Sequence, residues 1–172
     1  MKTWIIYFSR ADGNWVDGGE KNLEVGNTEV IARTLSSLTG GELFKLEMLH
    51  PYSKDYIPCT EEAKRDQVED LRPPLKTPLP SLEDGDIVYL GYPIYWDLMP
   101  MCVLTFLESY APFPEVTIYP FVTHEGSGLG ASMSMLKRKA APALVTSPLP
   151  IPGSYAMKAE PLLKEWVNSH KR

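Results

Sequence analysis

Three separated segments of the chain each join the end of an apolar run to residues suited to ligand binding. The first extends from Ser9-Arg10 to Gly26-Asn27-Thr28 and supplies hydroxyl, amide and guanidinium groups. The second, residues 91–96, is aromatic, and the third, residues 123–128, is rich in glycine. Ligands of open α/β sheets bind at the carboxyl ends of the strands. The three segments therefore predict one pocket, with a seat for a phosphate beside a slot for a planar ring.

The first segment has the chemistry of a phosphate-binding loop. It leads into a predicted helix, and the first N–H groups of a helix lack partners and carry partial positive charge. Ser9, Asn27 and Thr28 can add side-chain hydrogen bonds, and Arg10 can add charge. Taken alone, Asn27 or Thr28 fits a simple helix cap equally well. Trp15 lies in the glycine-containing stretch between the two ends. It can fold over a ligand, but the sequence alone does not decide whether it does.

The second and third segments have the chemistry of the walls of a flavin site. The faces of Tyr95 and Trp96 can stack on an isoalloxazine ring, although a lone aromatic more often packs against a neighbouring loop. Gly126 and Gly128 would let backbone amides approach the polar edge of such a ring. His124 can donate to the ring, although a loop histidine is more often a surface polar group. With the phosphate seat, these walls predict a site for flavin mononucleotide (FMN).

The glycines of the third segment also fit a variant dinucleotide fingerprint, G-x-G-x-x-A, that ends at Ala131. We reject this interpretation because the fingerprint requires an acidic residue about 20 positions further on. No Asp or Glu occurs between Glu125 and Glu160.

These segments need strands that alternate with helices to position them. Five strands are predicted from apolar runs, at residues 2–8, 42–47, 86–91, 115–123 and 143–146. Five helices are predicted from apolar spacing, at residues 27–39, 60–71, 100–110, 131–139 and 155–169. We predict a loop at Ala11 to Leu23 and a stiff connector at Pro148 to Pro152. Strict alternation favours a parallel sheet with helices on both faces, in one domain spanning residues 1–172.

The amino-acid composition argues against several classes of binding partner. The 172 residues have a net charge of -5, which disfavours nucleic acid because phosphate neutralisation needs clustered Lys and Arg. Two cysteines give neither a disulfide framework nor a metal-binding spacing. The N-terminal apolar run, Trp4 to Phe8, is too short for a signal peptide or a membrane span. We therefore expect no membrane partner and a cytoplasmic location.

Over nearly its whole length the chain resembles the flavodoxins and flavodoxin-like FMN proteins, in particular a bacterial group with an enlarged phosphate loop. The resemblance is carried by Tyr7-Phe8-Ser9, residues 26–32, residues 91–96 and residues 121–128. It implies an α/β, doubly wound, five-stranded parallel sheet in the order 2-1-3-4-5 with bound FMN. Unlike the family's compact loop, this one carries an insertion at residues 11–25. The FMN-binding residues that the resemblance implies are Ser9, Arg10, Ala11, Asn27, Thr28, Pro93, Ile94, Tyr95, Trp96, Thr123, His124, Glu125, Gly126, Ser127 and Gly128.

Two flavin functions stay open. A low-potential electron carrier would pass electrons between a reductase and an acceptor enzyme, as a monomer or weak dimer. An NAD(P)H-dependent FMN oxidoreductase would instead reduce a quinone or a flavin. The absence of an evident second nucleotide motif favours the carrier. Glu125 and Asp97, if near the ring, would disfavour added negative charge and lower the potential.

A non-redox signalling module on the same fold is a third, less favoured hypothesis. A phosphoacceptor site needs carboxylates clustered at strand ends. Here Ser9-Arg10 follows the first strand and Gly91-Tyr92-Pro93 ends the third, so the required acids are missing.

Overall fold

The computed structural model describes residues 1–170 and contains one main sheet and one hairpin. The strands are β1 (Thr3–Tyr7), β2 (Asp12–Val16), β3 (Gly19–Leu23), β4 (Glu42–Lys45), β5 (Ile87–Pro93), β6 (Thr117–His124), β7 (Leu144–Val145) and β8 (Leu149–Pro152). The main sheet has the order β4-β1-β5-β6, with β7 and β8 both beside β6, and every pair is parallel. This is the predicted order 2-1-3-4-5, with the fifth position shared by two short strands.

Helices cover both faces of the sheet, as predicted. They are α1 (Asn27–Thr39), α2 (Tyr56–Val68), α3 (Met101–Glu108), α4 (Ser132–Lys139) and α5 (Glu160–Ser169), and a 3-10 helix (Gly153–Lys158) precedes α5. Side chains of a strand point alternately to opposite faces. In β1, Trp4 and Ile6 therefore pack with α3 on one face, whereas Ile5 and Tyr7 pack with α1 and α5 on the other. Burial on both faces explains why the central strands are continuously apolar.

The prediction of a loop at residues 11–23 was wrong. Residues of β2 and β3 form an antiparallel hairpin that is separate from the main sheet. Val16 pairs with Gly19, so Asp17 and Gly18 make a two-residue turn, with φ of 53° and 76°. Positive φ at both positions is the type I′ turn that suits a hairpin, and Asp-Gly is one of its preferred pairs.

Two other element boundaries differ from the prediction. Helix α2 begins at Tyr56 instead of residue 60, with Asp55 at its N-cap. The segment predicted as a connector at Pro148 to Pro152 includes β8, which pairs with β6. The break between β7 and β8 lies opposite Tyr119 and Pro120 of β6. Pro120 has no N–H to donate, so the break costs no hydrogen bond from that residue.

The residues described contain no helix that is both long and apolar enough to span a membrane.

Candidate functional site

The carboxyl ends of β1, β5 and β6 meet at one edge of the sheet and border a cavity of about 450 Å³. A volume of this size is in the range of small-molecule sites. Each of the three segments identified in the sequence contributes to its wall. The lining residues are Ser9, Arg10, Asn14, Trp15, Asn27, Thr28, Tyr56, Ile57, Cys59, Thr60, Ala63, Pro93, Ile94, Tyr95, Trp96, Thr123, His124, Glu125, Ser127 and Gly153.

The structure brings together all of the sequence-predicted site residues except Ala11, Gly126 and Gly128. The Ala11 carbonyl accepts a hydrogen bond from Asn14 Nδ2 at 3.1 Å. The amides of Gly126 and Gly128 donate to Nδ1 of His124, at 3.1 and 3.3 Å, where we had expected them to approach the ring edge. His124 therefore organises the glycine-rich loop, and the roles of the three residues toward a ligand stay predictions.

The N-terminus of α1 forms the polar end of the cavity. Its N-cap is Gly26, which makes no side-chain cap, so the expected capping by Asn27 or Thr28 is not found. Instead, the Ser9 hydroxyl accepts a hydrogen bond from the Glu29 amide at 3.0 Å. The buried hydroxyls of Thr28 and Thr123 lie 2.7 Å apart and join α1 to the end of β6.

Gly26 is required by a close approach of two chain segments. Its φ of -63° and ψ of 149° are open to any residue, so the constraint is steric. A Cβ at this position would lie 2.5 Å from the carbonyl oxygen of Arg10 and would also overlap the Ser9 hydroxyl. The missing Cβ brings the loop after β1 directly against the first turn of α1. Hydroxyls and N–H groups thereby converge on one small volume, as phosphate binding needs.

Arg10 has a structural role that the sequence did not indicate. Its guanidinium group donates to the carbonyl oxygen of Gly13, to that of Ser53 at 2.7 Å and to that of Lys54 at 2.5 Å. The side chain thus ties the loop after β1 to the hairpin and to the segment before α2. A direct contact of Arg10 with phosphate stays a prediction.

The aromatic wall is a tight turn after β5. The Tyr95 amide donates to Leu98 O at 2.8 Å and the Leu98 amide donates to Tyr95 O at 3.1 Å. Trp96 and Asp97 between them have φ of 49° and 68°. Positive φ is rare for a bulky residue, and such strain tends to persist at functional sites. The Trp96 indole N–H donates to Thr60 O at 2.8 Å, which fixes this ring beside the cavity.

Helix α2 supplies a wall that sequence reasoning missed, through Tyr56, Ile57, Cys59, Thr60 and Ala63. The predicted helix start at residue 60 left Tyr56, Ile57 and Cys59 outside the helix. The available signals were an N-cap aspartate at position 55 and a proline at position 58, within the first helical turn. Asn14 of β2 and Gly153 of the 3-10 helix were also missed, because only tertiary packing brings them here.

The cavity wall is largely neutral. Burial raises the pKa of the Cys59 thiol to about 11, and burial likewise raises the pKa of Tyr95 and of Tyr56. These groups therefore stay protonated near neutral pH. Among the lining residues, Arg10 and Glu125 carry the full charges.

The effect of Asp97 on the potential was predicted only for a position near the ring. Its side chain does not line the cavity, and its carboxylate packs against Gly130 instead. Within residues 1–170, no group of three or more His, Cys, Asp or Glu side chains is placed to hold a metal ion. The site therefore fits an organic anion: its N–H and hydroxyl end suits a phosphate ester, and its aromatic walls suit a flat ring.

Comparison with known proteins identifies a family and several structures of similar fold. A family model described as flavodoxin matches residues 23–170. No curated protein matches the chain. Solved structures of similar fold include proteins described provisionally as flavoproteins from Bacteroides eggerthii (TM-score 0.71, 23% identity, covering 98% of this chain and 96% of that one) and Bacteroides uniformis (0.73, 23%, 97% and 97%).

A flavoprotein from Lactobacillus acidophilus, solved in complex with FMN, has the same fold with a TM-score of 0.63 and 18% identity, covering 87% of this chain and 92% of that one. Identities this low establish likeness of fold, whereas the family model covers most of the sequence. The chain belongs to the flavodoxin family.

Proposed function

We propose that this protein binds FMN in the cavity described above and acts as a low-potential electron carrier between redox partner proteins. The family match and the FMN complex of the structural neighbour support the cofactor. Within this chain, Ser9, Thr28 and the first amides of α1 would hold the phosphate, and Tyr95 and Trp96 would flank the ring. Bound FMN supplies the redox chemistry, while the residues around it bind and orient it and set its potential.

The observation that favours the carrier over a reductase is that the Arg10 guanidinium group already binds backbone carbonyls. A second, nicotinamide nucleotide would bring further phosphates, and Arg or Lys side chains bind phosphates most strongly. Among the described lining residues, Arg10 is the one that is Lys or Arg. Its N–H groups donate to the carbonyls of Gly13, Ser53 and Lys54. The described lining residues thus provide no uncommitted cationic side chain for the phosphates of a nicotinamide nucleotide. An electron carrier needs only an accessible flavin ring.

Glu125 supports the low potential. Its carboxylate lines the cavity, and a fixed negative charge near a ring disfavours the further negative charge that reduction adds. Trp15 and Trp96 at the cavity rim are about half exposed, so the cavity opens to the surface where a partner protein can approach.

The test is spectroscopic. We expect the purified protein to be yellow with flavin absorbance bands, and anaerobic addition of NADPH alone to leave these bands unchanged. Addition of a flavodoxin reductase with NADPH should then bleach them. Bleaching by NADPH alone would reject the carrier and establish the oxidoreductase, and a colourless protein that takes up no added FMN would reject both functions.

A further inference from the structure

The β2–β3 hairpin, inserted between the two ends of the phosphate loop, lies at the cavity. Asn14 and Trp15 of β2 line the cavity wall, and Val16 is buried. The hairpin forms a separate two-stranded sheet that, within residues 1–170, is not hydrogen-bonded to any strand of the main sheet. An isolated two-stranded hairpin is marginally stable in water, so its position depends on contacts with the rest of the protein.

The base of the hairpin is firmly attached. The Gly13 amide donates to Lys54 O at 3.0 Å, and the Gly13 carbonyl accepts from Arg10. A Cβ at Gly13 would lie only 2.9 Å from the backbone nitrogen of Tyr56. The backbone of the hairpin therefore packs directly against the start of α2. Several hydrogen bonds and this close packing make the base the fixed end of the hairpin.

The middle and the tip are held by the buried Val16 side chain, one aromatic contact and one hydrogen bond. The rings of Trp15 and Tyr56 lie 5.9 Å apart at a tilt of 33°, and 44% of Trp15 is exposed. At the tip, the Asp17 amide donates to Oε2 of Glu125 at 3.0 Å. This bond joins the turn of the hairpin to the loop after β6, which is the opposite side of the cavity.

Glu125 is itself held in a confined place. A Cβ at Gly153 would overlap the Oε1 of Glu125 and would lie 2.5 Å from Nδ2 of Asn27. The carboxylate therefore sits between Gly153, the phosphate end of the cavity and the hairpin tip. Its Oε2 accepts the hydrogen bond from the tip, while its Oε1 lies beside Gly153, which lines the cavity.

We propose that the hairpin is the lid of the cofactor site, with Arg10 as its fixed clamp and Glu125 as its latch. This inference rests on the proposed FMN function. Opening breaks the hydrogen bond at the tip, exposes the Val16 side chain and separates Trp15 from Tyr56, while the Arg10 contacts hold the base. FMN enters and leaves past the opened tip, and Glu125 is a positioning residue for the lid.

The test compares Glu125→Ala, which removes the acceptor, with Glu125→Gln, whose amide oxygen can still accept from the Asp17 amide. Glu165→Ala, an exposed carboxylate change on α5, is the control. The first measurement is hydrogen–deuterium exchange of residues 12–23 in FMN-free protein. We expect Glu125→Ala to speed exchange at the hairpin by about fivefold, the size expected for one ordinary hydrogen bond, Glu125→Gln to speed it less, and the control to stay near wild type.

The second measurement is stopped-flow flavin fluorescence of FMN binding and release. A lid that gates both directions raises both rate constants together when its latch is removed, because each is scaled by the open fraction. Compared with Glu125→Gln, which lacks the same charge but keeps the acceptor, Glu125→Ala should therefore raise the association and dissociation rate constants by a similar factor. A faster dissociation alone would mark Glu125 as a simple ligand contact and overturn the proposal.

Unchanged exchange of the hairpin in Glu125→Ala would also overturn it. Failure of the proposed function is distinguishable, because the exchange measurement needs no FMN. A protein that binds no FMN but shows faster hairpin exchange in Glu125→Ala retains the latch and loses the cofactor assignment.

Discussion

The substitution Gly26→Ala tests whether the phosphate end of the cavity depends on the close approach of two segments. The introduced Cβ would lie 2.5 Å from Arg10 O, about 0.9 Å short of an ordinary contact at 3.4 Å. The Ser9 hydroxyl can rotate away, with loss of its bond to the Glu29 amide, but the Arg10 carbonyl belongs to the backbone. The loop after β1 must therefore move away from α1.

Overpacking of this kind costs about 1–3 kcal/mol of folding free energy. For a domain of this size, each kcal/mol lowers Tm by about 2–4 °C. We expect FMN affinity to fall by at least about tenfold, since a loss of 1.4 kcal/mol in binding is tenfold in Kd. The assay is fluorescence titration of apoprotein with FMN, together with thermal unfolding of the apoprotein.

Gly19→Ala is the matched control for this prediction. It adds the same methyl group at a glycine of the inserted hairpin, where nothing lies within 4 Å of the added Cβ and φ is not positive. Affinity and Tm should be unchanged in the control. Wild-type FMN affinity in Gly26→Ala would refute the claim that this close approach forms the phosphate seat.

Three further outcomes are expected. Gly91→Ala places a Cβ 2.9 Å from one atom of the buried Phe121 ring and closer to others, and should lower the urea-unfolding free energy by about 1–3 kcal/mol, whereas unchanged stability would contradict the packing. Hydrogen bonds from Arg72 and a lysine lower the pKa of Glu108 from 4.5 to about 2. Its stabilising contribution is therefore present above pH 4.5 and is lost as pH falls toward 2, so Glu108→Gln should flatten the dependence of the urea midpoint over this window; an equally steep curve would contradict it. Glu125→Gln should raise the flavin potential by tens of millivolts, at about 59 mV per 1.4 kcal/mol for one electron, and an unchanged spectroelectrochemical midpoint would remove that role.

Local pattern was sufficient for most of the fold. The continuous apolar runs predicted the parallel strands because strands buried on both faces have no polar side. The hairpin and the start of α2 were missed although each has a local signal, namely Asp17-Gly18 and an N-cap at Asp55. Those signals are short, and the polar residues around them carry no apolar periodicity to support them.

The residues of the candidate site were likewise predicted in part from the sequence, and their orientations came only from the tertiary structure. The sequence alone determined that strand-end segments with hydroxyl, aromatic and glycine residues exist, and the rule for parallel sheets placed them at one edge. Only the tertiary structure decided which groups face the cavity: Arg10 is directed to backbone carbonyls, the Gly126 amide to His124, and Glu125 to the hairpin tip. These directions depend on partners 2 to 108 positions away along the chain, and side-chain orientation is set by such partners and by space, neither of which a linear pattern contains.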